Sequence, residues 1–331
     1  MKFSIRLLAF ILTFSAVSAF AADKLPAAKA GTIGKATGKI AFIRNGDIWA
    51  MDATGQNQYK VCASGNADGR LSWSPDGKMI AFTRSGQVNY RSPDNLGGQH
   101  KLYDIFIAYL DSAYANNTQY WYRITSGLGS RDPEWAADGS KIVFWKDMNS
   151  NIVDAFAPQY QVMTIEPDGS SEVMLRKDWQ SFYENFLTRP TMNANGDLAA
   201  VYFNKQNQLG LVVLSPSEYM ADMDSLMATA ERHKGMIAPA WSPDGKWIAY
   251  IDSDMTNSGL YIISADLKEK YIVAPPPVGT YMMTYPPSWS PDSKWMTFST
   301  TDGSVWIVDI TGNGLRRLTG PGPDKGPAWS K

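Results

Sequence analysis

The chain has 331 residues, of which 44% are hydrophobic and 19% are charged, and its formal net charge is −1 at pH 7. This balance is typical of a globular protein and gives no sign of nucleic-acid binding, which usually requires a basic surface. A single cysteine, Cys62, excludes an internal disulfide, so stability has to come from the core. Because Cys62 lies in an apolar strand, we expect it to be a buried packing residue and not a reactive thiol.

The first residues predict export. Met1–Ala21 combine Lys2 and Arg6 with an apolar stretch and small residues at a cleavage position, which is the pattern of a signal peptide. The apolar stretch is too short to span a bilayer. Loss of Lys2 and Arg6 lowers the formal charge of the mature chain to about −3. Residues 22–37, rich in Ala, Lys and Gly, predict a flexible leader, and we expect a periplasmic protein whose mature chain has no transmembrane segment.

One short motif recurs along the rest of the chain. Each copy has a Trp, or once Met192, before a tight turn built from Pro, Asp and Gly or their substitutes, and an alternating apolar run follows. The complete copies are Ser72–Lys78, Glu134–Ser140, Thr191–Asp197, Ala240–Lys246 and Ser288–Lys294, and Pro327–Lys331 begins another. Successive motif positions are 62, 57, 49, 48 and 40 residues apart, a range typical of four-stranded propeller blades. A Trp that recurs once per repeat is expected to pack between neighbouring blades.

The two ends of the chain are predicted to share one blade. Gly38–Ile43 resembles the second half of the motif, and Asp47–Asp52 and Tyr59–Ala63 supply two further strands. The segment at Trp329 is therefore expected to be the innermost strand of this N-terminal blade, which closes the ring and leaves no open sheet edge. The sequence predicts an all-β, six-bladed β-propeller with four-stranded blades over residues 38–331.

The motif also carries a family resemblance. Trp241–Lys246 with the apolar strand behind it, and the Arg-Arg-Leu-Thr sequence at Arg316–Thr319, resemble the TolB-type propeller repeat. The resemblance covers about residues 38 to 331 and implies the fold. It implies no single function, because this repeat is found in periplasmic scaffold proteins, in the propellers of prolyl-oligopeptidase-like peptidases and in some lyases.

Sequence motifs for catalysis and metal binding are weak. The chain has no Gly-x-Ser-x-Gly nucleophile elbow, and His100 and His233 have no ligand partner at zinc spacing. Asp147–Asp154 begins like a calcium loop, but Ile152 replaces the turn glycine and Pro158 the final glutamate. Asp and Asn are also common turn formers, so calcium binding at this segment stays open. We expect no catalytic residue, no bound metal and no cofactor.

Two connections are long for a propeller, Gln87–Lys101 and Ser215–Gly235. The second is predicted to contain a short amphipathic helix beginning near Ser217, which either packs on its own domain or docks a partner. Its apolar stripe consists of Met220, Met223, Leu226 and Met227.

The residues just before each inner strand are expected to ring the mouth of the central channel. Four of the six positions that lie three or four residues before the motif residue are cations, which focus a positive potential and, in the case of Arg, hold a carboxylate or phosphate by two hydrogen bonds. The candidate ligand-binding residues are Arg70, Arg131, Arg189, Tyr285 and Lys325. In the alternative, neighbouring carboxylates neutralise the ring through surface ion pairs; these are Asp68, Asp132, Glu134 and Asp324. Aromatic residues of the segments 180–186 and 281–285 are expected to flank the mouth.

These observations predict an exported, non-catalytic scaffold that binds a protein, a peptide or a small anionic ligand at the channel mouth. Two other interpretations remain. One is a propeller enzyme, either a carbohydrate-active lyase or an enzyme of the hydrolase type. The lyase would need a metal or a strong base at the mouth. The other is an accessory subunit of an envelope complex whose partner carries the chemistry.

Overall fold

A computed structural model describes residues 23–91, 97–110, 120–127, 129–148, 160–177, 186–203, 209–219, 231–232, 236–252 and 258–330. Apart from the four-residue helix α1 (Ala27–Ala30) and a single 3-10 turn (Pro216–Glu218), the regular structure in these ranges is β-strand. None of the described helices has the length and apolar composition needed to cross a membrane.

Six four-stranded antiparallel sheets form the blades of a β-propeller. Blade 1, from the inner to the outer strand, comprises β24 (Asp324–Trp329), β1 (Lys39–Arg44), β2 (Asp47–Asp52) and β3 (Tyr59–Cys62). Blade 2 comprises β4 (Ala67–Trp73), β5 (Met79–Arg91), β6 (Gly97–Tyr109) and β7 (Trp121–Arg123). Blade 3 comprises β8 (Ser130–Trp135), β9 (Ile142–Asp147), β10 (Tyr160–Ile165) and β11 (Val173–Lys177).

The remaining blades follow in chain order. Blade 4 comprises β12 (Phe186–Met192), β13 (Leu198–Phe203), β14 (Leu209–Leu214) and β15 (Glu231–Arg232). Blade 5 comprises β16 (Met236–Trp241), β17 (Trp247–Asp252), β18 (Gly259–Ser264) and β19 (Lys270–Ala274). Blade 6 comprises β20 (Ser288–Trp289), β21 (Trp295–Thr300), β22 (Ser304–Asp309) and β23 (Arg316–Arg317).

The hydrophobic core is divided among the interfaces between blades. In β1, for example, Ile40 and Phe42 pack against blade 6, whereas Ala41 and Ile43 pack against blade 2. This arrangement follows from the two-residue period of a strand, which turns alternate side chains to opposite faces of the sheet. Both faces of the middle strands are buried, so strands such as β1 and β17 are apolar at most positions.

The motif tryptophans join neighbouring blades, as the sequence predicted. Their exposed fractions are between 1% and 7%. Trp73 Nε1 donates to the carbonyl oxygen of Ala328 at 3.0 Å, and Trp289 Nε1 donates to that of Ala240, also at 3.0 Å. Each acceptor belongs to the inner strand of the preceding blade, so Trp73 and Trp289 contribute both packing and one hydrogen bond across an interface.

The predicted closure of the ring is confirmed. β24 pairs antiparallel with β1, with Trp329 opposite Ile40. Ser330 N donates to the Lys39 carbonyl at 2.8 Å, and a Cβ on Gly38 would lie 3.2 Å from Ser330 Oγ. The last and the first strand of the propeller therefore form one sheet.

Two segments differ from the sequence predictions. Residues 87–101 were expected to form a loop, but β5 and β6 pair continuously out to Arg91 and Gly97. β5 has 13 residues where β9 has 6. The seven additional residues extend this hairpin by about 23 Å, at roughly 3.3 Å per residue. β4 begins opposite Arg84 of β5, on the mouth side of the ring. The additional residues of the hairpin lie beyond this point and therefore project from the mouth side.

Residues 23–37 lie against the propeller, whereas the sequence predicted a flexible leader. Leu25 and Ala30 are buried between blades 5 and 6, with exposed fractions of 3% and 2%. Trp295 Nε1 donates to the Gly34 carbonyl at 3.0 Å, and Trp329 Nε1 to that of Thr37 at 2.8 Å. Composition alone missed this contact because few side chains make it, among them Leu25, Ala30 and Lys29, which pairs with Glu269, and backbone carbonyl groups make the rest. Residues 1–22, which include the predicted signal peptide, lie outside the described residues.

Deleting Pro327–Lys331 is expected to abolish cooperative unfolding, because it removes half of an inner strand and opens the ring. Thermal unfolding followed by circular dichroism measures this. Deleting Lys331 alone is the control and should leave the melting curve unchanged. An unaltered melting curve for the longer deletion would contradict the closure.

Trp241→Ala is expected to lower the free energy of unfolding by about 3 to 5 kcal/mol, the usual cost of truncating a large buried aromatic residue. Urea unfolding measures the change. The matched control is Tyr281→Ala, because Tyr281 is 65% exposed, and surface substitutions usually change stability by about 0.5 kcal/mol or less. Equal effects of the two substitutions would exclude the packing role of Trp241.

Candidate ligand-binding site at the channel mouth

A β-bulge near the start of the inner strand decides where each candidate side chain points. In blades 1 to 5 the register of the inner strand shifts at the mouth end. The first bulge residue has a positive φ in each case; these residues are Gly69, Asp132, Arg189, Ala238 and Gly326. In four of these blades a proline follows, which suits a position that makes no ladder hydrogen bond.

The bulge places the four predicted cations at three different positions and not at one. Arg131 and Lys325 precede the bulge, Arg189 is its first residue, and Arg70 is its second residue, where the other bulged blades have proline. The four charged ends therefore do not all face one cavity, because only Arg131 and Arg189 line the cavity at the mouth. The spacing to the motif residue is three for both Arg70 and Arg189. It could not separate these two residues, because the bulge of blade 2 lies one residue farther from its Trp.

Arg70 fills the channel below the mouth. Its guanidinium forms an ion pair with Glu134 of blade 3 through Nη1, and the side chains are 6% and 16% exposed. Nη1 also donates to the Pro190 carbonyl of blade 4 at 2.7 Å, and Nη2 to the Pro239 carbonyl of blade 5 at 2.7 Å. Arg70 thus links four blades near the axis, and its donors are used inside the protein.

Lys325 is likewise paired. Its Nζ lies 2.9 Å from Asp68 Oδ1, and the Tyr285 hydroxyl donates to the same oxygen at 2.7 Å. Burial acts to raise the pKa of Asp68, but these two donors outweigh it and hold the pKa below its ordinary value. Burial and the bond to Asp68 raise the pKa of Tyr285. For Arg70 and Lys325, the alternative stated from the sequence therefore holds. Glu134 neutralises the charge of Arg70, and Asp68 neutralises the charge of Lys325.

Arg131 and Arg189 are different. The Arg131 guanidinium carbon lies 3.2 Å from the centre of the Tyr103 ring and 5.6 Å from that of Trp145. Arg189 Nη1 donates to the Thr284 carbonyl at 3.2 Å. Among the described residues, no carboxylate forms an ion pair with either guanidinium. Cation–π stacking orients Arg131 without neutralising it.

These two arginines border a cavity of about 150 Å³ at the mouth. Its described lining consists of Asp68, Gly69, Thr83, Tyr103, Arg131, Asp132, Arg189, Thr284, Tyr285 and Pro286. The two carboxylates in this lining already have partners: Asp68 as described above, and Asp132 by accepting from Arg70 N at 2.9 Å and from Trp145 Nε1 at 3.0 Å. The cavity therefore presents two guanidinium groups that form no ion pair with a carboxylate among the described residues. Asp132 keeps its negative charge in the lining, because both of its hydrogen-bond donors are neutral.

Sequence reasoning missed Tyr103. It lies on β6, at the base of the extended hairpin, 28 positions before the arginine that it supports. No local motif connects the two residues, and only the hairpin and the parallel bridge between Tyr103 and Gly129 bring them together.

The remaining candidate features of the sequence are the cysteine, the metal-binding residues, and the Met-rich and aromatic segments. Cys62 is 1% exposed, and burial raises the pKa of its thiol to about 12, which disfavours a reactive thiolate. No group of three His, Cys, Asp or Glu side chains suitable for a metal occurs within the described ranges. His233, the segment from Asn149 to Asp154, the predicted Met stripe and the aromatic segment 180–185 lie outside the described residues.

Arg70→Met is expected to lower the free energy of unfolding by about 3 to 5 kcal/mol, because it removes the ion-pair partner of the half-buried Glu134 and the donor to the Pro190 and Pro239 carbonyl groups. Chemical unfolding measures this. Adding Glu134→Gln to Arg70→Met is the matched control, and it should recover a substantial part of the loss because no uncompensated charge remains. Wild-type stability of Arg70→Met would show that the axial contacts contribute nothing.

Comparison with known proteins gives matches only to solved structures. No family model and no curated protein matches the chain. TolB from Acinetobacter baumannii superposes with a TM-score of 0.63 and 19% identity, covering 92% of this chain and 69% of that one. The putative TolB from Agrobacterium tumefaciens gives a TM-score of 0.54 and 14% identity, covering 88% of this chain and 92% of that one.

A protease also shares the architecture. The tricorn protease gives a TM-score of 0.56 and 15% identity over 87% of this chain, which corresponds to 25% of that chain. Identities this low indicate a common fold and leave function open. The six four-stranded blades and the Trp-centred repeat give this chain the fold of a TolB-like β-propeller.

Proposed function

We propose that this chain is an exported, non-catalytic binding scaffold whose channel mouth recognises an acidic group of a protein or peptide partner. The observation that carries the proposal is the pair Arg131 and Arg189, which border the mouth cavity and have no carboxylate partner among the described residues. An incoming carboxylate can accept charge-assisted hydrogen bonds from both, and these are stronger than bonds between neutral groups.

The volume of the cavity favours an inserted side chain or chain end over a long ligand threaded through the channel. The Arg70 side chain crosses the channel and contacts Glu134 of blade 3 and the carbonyl groups of blades 4 and 5. The cavity of about 150 Å³ therefore accepts one small acidic group. The partner's remaining contacts would lie on the rim, where Tyr281 is 65% exposed and the β5–β6 hairpin rises beside the opening.

Protein partners in the cell envelope are the class that fits this architecture and the predicted signal peptide. Export follows from Met1–Ala21, which we infer to be removed on passage to the periplasm. The tricorn protease uses the same fold in part of its chain, so the fold alone does not distinguish a scaffold from an enzyme. The assignment rests on the chemistry of the mouth.

The double substitution Arg131→Ala with Arg189→Ala is expected to weaken binding of a tetraglutamate peptide roughly ten- to hundredfold, the range for losing hydrogen bonds to a charged group. Calorimetric titration of the purified mature protein measures the affinity. Wild-type binding should weaken as salt rises, because exposed charges are screened over about 8 Å at physiological ionic strength. Stability should change little, since neither arginine forms an ion pair with any of the described residues.

The matched control is Lys246→Ala with Lys268→Ala, which removes the same charge from side chains that are 74% and 79% exposed. This control should bind as the wild type does. Equal weakening in both double variants would attribute the binding to net charge and would reject the site. Affinity retained without Arg131 and Arg189 would also reject it.

A further inference from the structure

The interface between blades 3 and 4 is built differently from the other five. Each of the other interfaces contains a motif tryptophan within its buried cluster: Trp73, Trp135, Trp241, Trp289 or Trp329. The cluster between blades 3 and 4 has none, and the motif position is Met192, which is half-buried.

The turn of the motif is also reduced at this interface. Between blades 2 and 3, Pro75 packs on the next turn, since a Cβ on Gly139 would meet Pro75 Cδ at 3.5 Å. In the motif turn of blade 3, Ala137 occupies the position of this proline. In the motif turn of blade 4, Ala194 occupies it. Three positions therefore carry smaller or narrower side chains here than their equivalents in other blades.

These replacements leave a crevice of about 290 Å³ on the turn side of the ring, away from the mouth. Its walls are largely apolar and include Val143, Leu175, Met192 and Tyr219. Asp138 and Lys141 are the charged residues of the described lining and offset each other. The site therefore suits a neutral, small, mostly apolar ligand, and its volume is at the lower end for small-molecule sites.

One polar group in the crevice is unpaired. Thr164 lines the crevice and is 3% exposed, and its Oγ1 is buried without a hydrogen-bond partner. A buried hydroxyl without a partner is destabilising, and it gains a hydrogen bond when a ligand supplies a donor or an acceptor. Three other polar side chains of the lining are paired: the Asn193 amide donates to Asp197 at 2.9 Å, the Tyr219 hydroxyl donates to the Gly196 carbonyl, and the Ser140 hydroxyl donates to Asp138 at 2.8 Å.

We propose that the crevice between blades 3 and 4 is a second binding site, which takes a planar aromatic ring with one hydrogen-bonding group directed at Thr164 Oγ1. A ring of this kind fits because the other interfaces hold an indole at the motif position, with its N–H bonded across the interface in blades 2 and 6. The ring belongs either to a free aromatic compound or to an aromatic side chain of a partner.

Indole is the first probe, and 1-methylindole, which lacks the N–H donor, is the second. Both are titrated into the purified mature protein and followed by ligand-observed NMR. Saturable binding of indole is expected. Thr164→Val should weaken indole binding about two- to tenfold and leave 1-methylindole binding unchanged, while stability is maintained or raised because an unpaired hydroxyl has been removed.

Met192→Trp restores the motif residue and should weaken binding of both probes at least tenfold by filling the crevice, without lowering the melting temperature. The control is Met174→Trp on β11, where Met174 is 41% exposed and does not line the crevice; it should bind both probes as the wild type does. The peptide Ala-Trp-Ala distinguishes the two sources. If the peptide competes with indole at equal affinity, the ring belongs to an aromatic side chain of a partner. If the crevice does not admit the peptide, the ring belongs to a free aromatic compound.

Three results would overturn the proposal. The first is the absence of saturable indole binding to the wild type. The second is undiminished affinity in Met192→Trp. The third is a Thr164→Val variant that weakens both probes equally or neither, and this test holds even if Met192→Trp does not fold.

Discussion

Pairing of the last strand with the first is the constraint on which the rest of this structure depends. The core is not one central cluster but six clusters between blades, and each is complete only if both neighbours are in place. β24 supplies the inner strand of blade 1 and also the Ala328 carbonyl that accepts from Trp73. Without it two interfaces lose a wall at once, and β1 becomes an exposed edge.

Closure brings the inner strands together around a narrow axis, and this accounts for the chemistry of the channel. Five inner strands bulge at the mouth end. Arg70 donates to the carbonyl groups of two bulge prolines, Pro190 and Pro239, and neutralises Glu134. Its burial is tolerable because the planar guanidinium carries enough donors for several acceptors. Of the four candidate cations, Arg131 and Arg189 therefore remain without a carboxylate partner among the described residues.

The sequence was sufficient for the fold and insufficient for the site, and the reason is physical. Trp289 and Trp329 recur because every interface poses the same packing problem, so a periodic pattern reports it. The side-chain directions of Arg70, Arg131, Arg189 and Lys325 depend on the position of each bulge, and a shift of one residue turns a side chain to another direction. Spacing to the motif cannot detect such a shift. Tyr103 was unpredictable for a different reason, because its contact with Arg131 depends on a hairpin whose strands continue through a stretch without strand-like alternation.

A repeat architecture makes deviations informative. Where every unit must fill the same interface, a unit that departs from the repeat changes either what occupies the space or whether the space is occupied. Blade 2 departs by placing Arg70 where its neighbours have proline, and this side chain links blades 3, 4 and 5 across the channel. Blades 3 and 4 depart through Ala137, Met192 and Ala194, and a crevice with an unpaired Thr164 hydroxyl remains. A void and a buried unpaired hydroxyl both lower stability. Their coincidence at the one interface without a motif tryptophan is accounted for by a ligand that fills the first and pairs the second.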